Sequence, residues 1–197
     1  MVRNRGYKFI VKCTNEGYWI LCVNATWINQ ILKDNGIRPR DFRRLTWEDL
    51  AKAQETEIGR RLFRELRPKN FWEMCDTMSL LYSNYELGEN ERVYHQEWFV
   101  RYPLFAREDI YELLLEEGLR QEDAVRVMEF VRRGKSSAQR LGWQEFLELY
   151  DVPEDLAEAF AHCSYLPPRE KMVHALIQVI ERAVRMKVQD SKQEESR

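Results

Sequence analysis

The sequence predicts a mainly α protein with a small β-hairpin at its N-terminus. Two β-rich runs, residues 7–13 and 18–23, flank the turn signal "TNEG". From Asn24 almost to the end, apolar residues recur at helical spacing between capping residues and glycine or proline stops. Because a lone hairpin is marginally stable in water, we expect residues 1–23 to pack on a helical body of residues 24–188. The polar segment 189–197 is predicted to be a disordered tail.

The helices of the first half carry their own start and stop signals. "TWED" is a capping-box variant that opens a short helix at Trp47. Thr56 can start a second helix, which turns Leu62 and Phe63 inward and its arginines mostly outward until Pro68 ends it. "NFWE" is a further capping box, and it leads into an apolar stripe of Phe71, Met74, Cys75, Met78 and Leu81.

The second half is more regular after a poorly patterned stretch. Residues 82–103 predict a loop with one short helix around 92–101. "REDIYELLLEEGL" and "QEDAVRVMEFVRRG" then predict a helical hairpin whose helices end at Gly118 and Gly134. Three more helices are predicted, near 143–150, from Pro153, and over about 168–187.

The composition excludes several classes of protein. Of the 197 residues, 44% are apolar and 32% are charged, which is typical of a folded chain. No run of about 20 apolar residues could span a bilayer, and the N-terminus does not resemble a signal peptide. We therefore expect a cytoplasmic protein without a membrane partner. The net charge of −2 provides no global attraction to nucleic acid, so any such binding requires a local basic patch.

The cysteines and histidines show no metal-ligand spacing. The four cysteines are dispersed without a C-x-x-C pair, and so are the three histidines, so neither a metal nor a cofactor is predicted. Cys13 and Cys22 could face each other across the hairpin. In a reducing compartment, two buried thiols are the preferred interpretation over a disulfide.

No catalytic motif is present. The phosphate-loop, dinucleotide, zinc-protease and serine-hydrolase patterns are all missing. Glu112, Glu116 and Glu117 have helical spacing, but they alternate with leucines, so a solvated helix face explains them better than metal chemistry. We predict no catalytic residue.

Basic residues occur in groups at helix ends and turns. The guanidinium fork of arginine pairs with phosphate oxygens, so such groups are candidate phosphate sites if they converge in space. The groups are Arg38, Arg40, Arg43 and Arg44; Arg60, Arg61, Arg64, Arg67 and Lys69; Arg132, Arg133, Lys135 and Arg140; and Arg169 with Lys171. The last pair begins a helix, where backbone N–H groups can bind the same anion.

Two long segments in order resemble one known family. "REDIYELLLEEGLRQEDAVRVMEFVRRGK" followed by "YDVPEDLAEAFAHCSYLPPREK" is similar to the fingers region of the PolC-type DNA polymerase III alpha subunit of low-GC Gram-positive bacteria. Upstream, "TEIGRRLFRELRPKNFWEM" is also similar to that region. The resemblance covers roughly residues 24–188 and implies a multi-helix, fingers-like domain.

The resemblance also implies a set of phosphate- or DNA-binding residues. In the family, basic side chains of the fingers hold the triphosphate of the incoming nucleotide and lie against the template. The residues at matching basic positions here are Arg64, Arg132, Arg133, Lys135 and Arg169. Lys171 stands where the family has a histidine, and we include it in the predicted site.

The resemblance leaves the function with alternatives. The family's catalytic carboxylates belong to a separate palm domain that has no counterpart here, so the chain is predicted to be non-catalytic alone. It would act through a basic face on DNA, on a nucleoside triphosphate or on replication proteins, as a natural stand-alone protein or a truncated polymerase. The alternative is a protein–protein interaction module, or a polymerase remnant that no longer binds nucleic acid. The interaction alternative is favoured if Trp98, Phe99 and Tyr102 form one exposed patch.

Overall fold

The structure is a computed structural model. It describes residues 8–14, 17–23, 30, 33–36, 44–45, 47–85, 92–132 and 143–195. Most of them are helical, and a small antiparallel sheet lies near the N-terminus, so the predicted fold class is confirmed. In this part of the chain, no helix is both long enough and apolar enough to cross a membrane.

The N-terminal hairpin consists of β1 (Lys8–Thr14) and β2 (Gly17–Val23), as predicted. A strand of two residues, β3 (Arg44–Leu45), adds to the free edge of β2 through Tyr18 and Trp19. The sequence did not predict β3, because two residues are too few for a periodic pattern. The packing of residues 1–23 on a helical body stays a prediction.

The register of the hairpin tests the disulfide interpretation of its cysteines, whereas the burial of their thiols lies outside what the structure describes. Cys13 lies opposite Tyr18, and Cys22 lies opposite Phe9. Four strand positions therefore separate the cysteines along the hairpin, which corresponds to about 14 Å. Because a disulfide needs Cα atoms within about 7 Å, this register excludes a Cys13–Cys22 bridge.

The chain divides into two compact units. The first unit contains Met1–Leu81 and Val173–Arg197, and the second contains Tyr82–Met172. Both junctions fall inside continuous helices, so neither has the glycine- or proline-rich linker that would reveal a boundary in the sequence.

The first unit contains three consecutive helices that follow the predicted signals. They are α1 (Trp47–Lys52), α2 (Glu57–Leu66) and α3 (Phe71–Tyr82), of which the last reaches the junction. Thr56 caps α2 by accepting a hydrogen bond from the backbone N–H of Gly59 at 3.1 Å. As predicted, Leu62 and Phe63 are buried.

The second unit consists of short elements around one hydrophobic cluster. After a 3₁₀ turn at Val93–His95, its helices are α4 (Glu97–Arg101), α5 (Arg107–Glu116), α6 (Gln121–Val131), α7 (Trp143–Tyr150) and α8 (Glu154–Ala161). Two short strands, β4 (Asn84–Tyr85) and β5 (Cys163–Tyr165), pair antiparallel. The predicted buried side of α8 is confirmed, since Leu156, Ala159, Phe160 and Cys163 have no exposed surface.

The last helix, α9 (Arg169–Glu195), begins in the second unit and continues in the first. Lys187 Nζ lies 2.5 Å from Asp49 Oδ2, and Arg182 Nη1 lies 2.7 Å from Glu55 Oε1, so its later turns contact the α1 region. Residues 189–195, predicted to be a disordered tail, continue this helix. The segment is polar, but it contains no glycine or proline and is rich in helix-forming Gln, Lys and Glu.

Gly118 ends α5 in the left-handed conformation, with φ of +91°. Its N–H and that of Leu119 donate to the carbonyls of Leu115 and Leu114, each at 3.0 Å. A Cβ atom at Gly118 would meet nothing within 4 Å, so only the positive φ of the backbone disfavours a side chain here.

We expect Gly118→Ala to lower the free energy of unfolding by about 1 kcal/mol, measured by urea denaturation. Gly118→Asn should lose less, because asparagine tolerates this conformation, and equal losses would contradict the explanation.

Candidate functional site

Arg169, at the start of α9, is bound by carboxylates of α5. Its guanidinium donates to Glu112 Oε1 at 2.9 Å and also forms an ion pair with Asp109. Its backbone N–H donates to Glu108 Oε2 at 2.8 Å. The hydrogen bond to Glu112 is the main reason that the pKa of Arg169 is raised. The protein thus supplies its own anions at the helix start where the sequence predicts an external phosphate.

Asp109 is the most buried of these carboxylates. Its Oδ2 accepts the backbone N–H groups of Phe105 and Ala106, each at 2.7 Å, where α5 begins. Burial raises the pKa of Asp109, and the N–H of Ala106 and the charge of Arg169 oppose this shift. Asp109 therefore joins the first turn of α5 to the first turn of α9.

Arg132 follows α6 and is also paired. Its Nε and Nη2 donate to the two carboxylate oxygens of Glu129 at 2.6 Å and 2.7 Å. This two-point hydrogen bond raises the pKa of Arg132. Arg107 lies between two of these carboxylates, 3.2 Å from Glu108 and 4.0 Å from Glu129. Glu129, Arg107 and Glu108 thus connect Arg132 to Arg169, with Glu108 bound to the backbone N–H of Arg169 and not to its guanidinium.

The other predicted site residues of the second unit differ from this pair. Lys171 is exposed, and its Nζ lies 5.5 Å from the centre of the Tyr82 ring, a cation–π contact. Arg133 and Lys135 lie outside the described residues.

Arg64 lies in the first unit, on an exposed basic surface. Arg61, Arg64, Arg67 and Lys69, which we call the basic corner, are exposed and form no ion pair in the described part of the chain. Arg64 and Arg67 follow Arg60 at helical spacing, on the side of α2 opposite buried Leu62. Cations are favoured near the C-terminus of a helix, so the dipole of α2 stabilises this charge without a carboxylate partner.

Fixed backbone contacts define the basic corner. Arg67 takes the left-handed conformation, with φ of 44°, and its Nε donates to the carbonyl of Arg64 at 3.3 Å. Pro68, the next residue, is buried. Asn70 Oδ1 then accepts the backbone N–H groups of Trp72 and Glu73, each at 3.0 Å, and so begins α3.

Trp72 is an exposed aromatic residue beside the basic corner, and sequence reasoning missed it. Its residue surface is 51% exposed, and its ring meets the Phe71 ring edge-on at 5.4 Å. One signal could have found it. Trp72 lies off the apolar stripe of α3, where a solvated helix face would be expected to carry polar residues.

The aromatic residues whose exposure would favour the interaction alternative pack in or against the core of the second unit. Phe99 is 3% exposed, and its ring meets those of Tyr85 and Phe105 edge-on. Trp98 stacks on His162 at 4.7 Å. Tyr102 donates to Asp155 Oδ2 at 2.5 Å. The exposed patch that would favour this alternative is therefore not formed by these rings.

Comparison with known proteins adds one distant relative. No protein-family model matches the sequence. The chain is 28% identical over 116 residues to the protein named DNA polymerase III PolC-type of Halalkalibacterium halodurans. The match covers 58% of this chain and 8% of the polymerase. The sequence is thus distantly related to PolC-type DNA polymerase III.

Proposed function

We propose that this chain is a fingers-type relative of PolC that binds the phosphates of DNA through the basic corner and is non-catalytic alone. The observation that carries the proposal is the set of four exposed cations at the end of α2 without an ion pair among the described residues. Arg132 and Arg169, by contrast, are already bound to carboxylates.

Electrostatics supports this choice. The whole chain has a net charge of −2, so binding to a polyanion depends on a local excess of positive charge. Glu57, in the first turn of α2, pairs with Arg60 at 2.8 Å. The hydrogen bond and charge of Arg60 hold the pKa of Glu57 below its usual value, and Arg64 and Arg61 contribute weakly. The remaining cations can meet phosphate oxygens without first leaving a carboxylate.

The second-unit residues have a different place in the proposal. Arg132, Arg133, Lys135, Arg169 and Lys171 stay predicted phosphate contacts. We expect Arg169 to contribute least, because a phosphate would have to replace Glu108 and Glu112 around it. Lys171 would only have to leave an aromatic ring.

Titration of a fluorescently labelled primer–template tests the proposal by anisotropy over a series of salt concentrations. If all four cations contact phosphate, the logarithm of the affinity should fall with the logarithm of the salt concentration with a slope of about −3 to −4. The double variant Arg61→Ala, Arg64→Ala should reduce this slope by about 2 and weaken binding on the order of 10- to 100-fold near 0.1 M salt.

Arg185→Ala is the matched control. It removes one exposed positive charge from α9 in the first unit, where Arg185 pairs with Glu181 at 2.8 Å. It should change DNA binding little. DNA binding that does not depend on salt, or an equal loss of affinity in the double variant and in Arg185→Ala, would contradict the proposal.

With Mg²⁺ and nucleoside triphosphates, the wild-type protein should not extend the primer. Extension would overturn the non-catalytic part, and binding of a nucleoside triphosphate without DNA would overturn the assignment to DNA.

A further inference from the structure

We infer that the DNA bound at the basic corner is single-stranded, and that one unpaired base stacks on Trp72. This inference rests on the proposed function and names its ligand class. It starts from an indole that is 51% exposed, on the first turn of α3, immediately after the basic corner.

The position of Trp72 is fixed by its neighbours. Its backbone N–H donates to Asn70 Oδ1 at 3.0 Å, and the side chain of Asn70 also binds Glu73 Oε1 at 2.7 Å. The Phe71 ring contacts the indole at an interplanar angle of 78°. A platform that is ordered before binding loses less conformational entropy when a base stacks on it.

The distances suit one short stretch of DNA. Lys69 precedes Trp72 by three residues and Arg67 precedes it by five, so their Cα atoms lie within about 11 Å and 18 Å of that of Trp72. A strand whose phosphates meet these cations therefore has its bases within reach of the indole.

The surroundings of Trp72 favour nucleic acid over an apolar protein partner. The exposed residues that precede it are Arg67, Lys69 and Asn70, which are charged or polar. An aromatic ring beside cations is the arrangement with which proteins bind single strands, because every base offers a face for stacking. In a duplex the base faces are already stacked on one another, so an exposed ring gains nothing there.

The test compares a fluorescently labelled oligothymidylate with a labelled duplex of the same length, by anisotropy near 0.1 M salt. We expect the single strand to bind more tightly. Trp72→Ala should weaken single-strand binding by about fivefold or more and leave duplex binding unchanged. Trp72→Phe keeps an aromatic face and should retain most of the affinity. Ile58→Ala removes another exposed apolar side chain, 57% exposed on α2, and should have no effect.

The outcomes separate this inference from the proposed function. If both DNA forms bind and Arg61→Ala, Arg64→Ala weakens both, but Trp72→Ala changes neither, the stacking inference is overturned and the proposed function stands. If neither form binds, the proposed function fails. If Trp72→Ala weakens both forms equally, the inference is also overturned. Trp72→Phe, together with circular dichroism of each variant, guards against a loss of folding.

Discussion

Phe63→Ala should lower the free energy of unfolding of this protein by about 3–5 kcal/mol. Phe63 has no exposed surface and is among the largest fully buried side chains of the described residues. Its removal would leave a cavity that the surrounding helices fill only in part, so the lost transfer energy and the cavity both count. Urea denaturation followed by circular dichroism at 222 nm measures the difference.

Ile58→Ala is the control on the same helix. Ile58 is 57% exposed, so its truncation should change the stability by less than about 0.5 kcal/mol. If the two substitutions had equal effects, α2 would not pack with Phe63 inward. That result would also remove the basis for placing Arg64 on an exposed face.

Asp109→Ala should destabilise the protein by about 2–4 kcal/mol. The substitution leaves two backbone N–H groups at the start of α5 without an acceptor, and it removes one carboxylate from Arg169. Glu116→Ala, at an exposed position on the same helix, should cost little and serves as the control. A loss at Asp109 no larger than that at Glu116 would contradict the role of Asp109 in joining α5 to α9.

Asp109→Asn separates the hydrogen bonds of Asp109 from its charge. Asparagine keeps an acceptor oxygen for the backbone N–H groups, so the Asp109→Asn protein should lose less stability than the Asp109→Ala protein.

The raised pKa of Asp109 also predicts the direction in which the stability of the protein changes with pH. Between its usual value of 3.8 and the raised value, the folded state binds more protons than the unfolded state. This carboxyl's contribution to stability therefore falls as the pH rises through that window. The difference in stability between wild type and Asp109→Asn should show this slope.

The helices of this fold could be predicted because their signals are local. The Thr56 cap, the Asn70–Glu73 box and the Gly118 stop lie within a few residues of the backbone groups they satisfy. The pairing of Asn84–Tyr85 with Cys163–Tyr165 has no such signal. Both strands are very short, and about 80 residues of chain separate them. Strands of this kind depend on tertiary packing rather than on their own sequence.

The sequence predicts which residues of the candidate site are positively charged, but not which carboxylates pair with them. The sequence shows that Arg64 and Arg169 are basic residues at helix ends. It does not show that α5 directs Glu108, Asp109 and Glu112 toward Arg169, while no described carboxylate pairs with Arg64. The acidic residues of α5 have the spacing of a solvated face, and Glu112 is indeed exposed. Its pairing joins residues 57 positions apart, which periodicity within one helix cannot reveal.

The path of α9 has a consequence for how the protein is made. Tyr82–Met172 is one continuous stretch, so the ribosome releases all of the second unit before α9 has left the exit tunnel. The first unit combines Met1–Leu81 with Val173–Arg197, which emerges only after the second unit. Domains generally fold as they are completed during synthesis. The second unit should therefore be able to fold during synthesis before the first, in which Met1–Leu81 waits for Val173–Arg197.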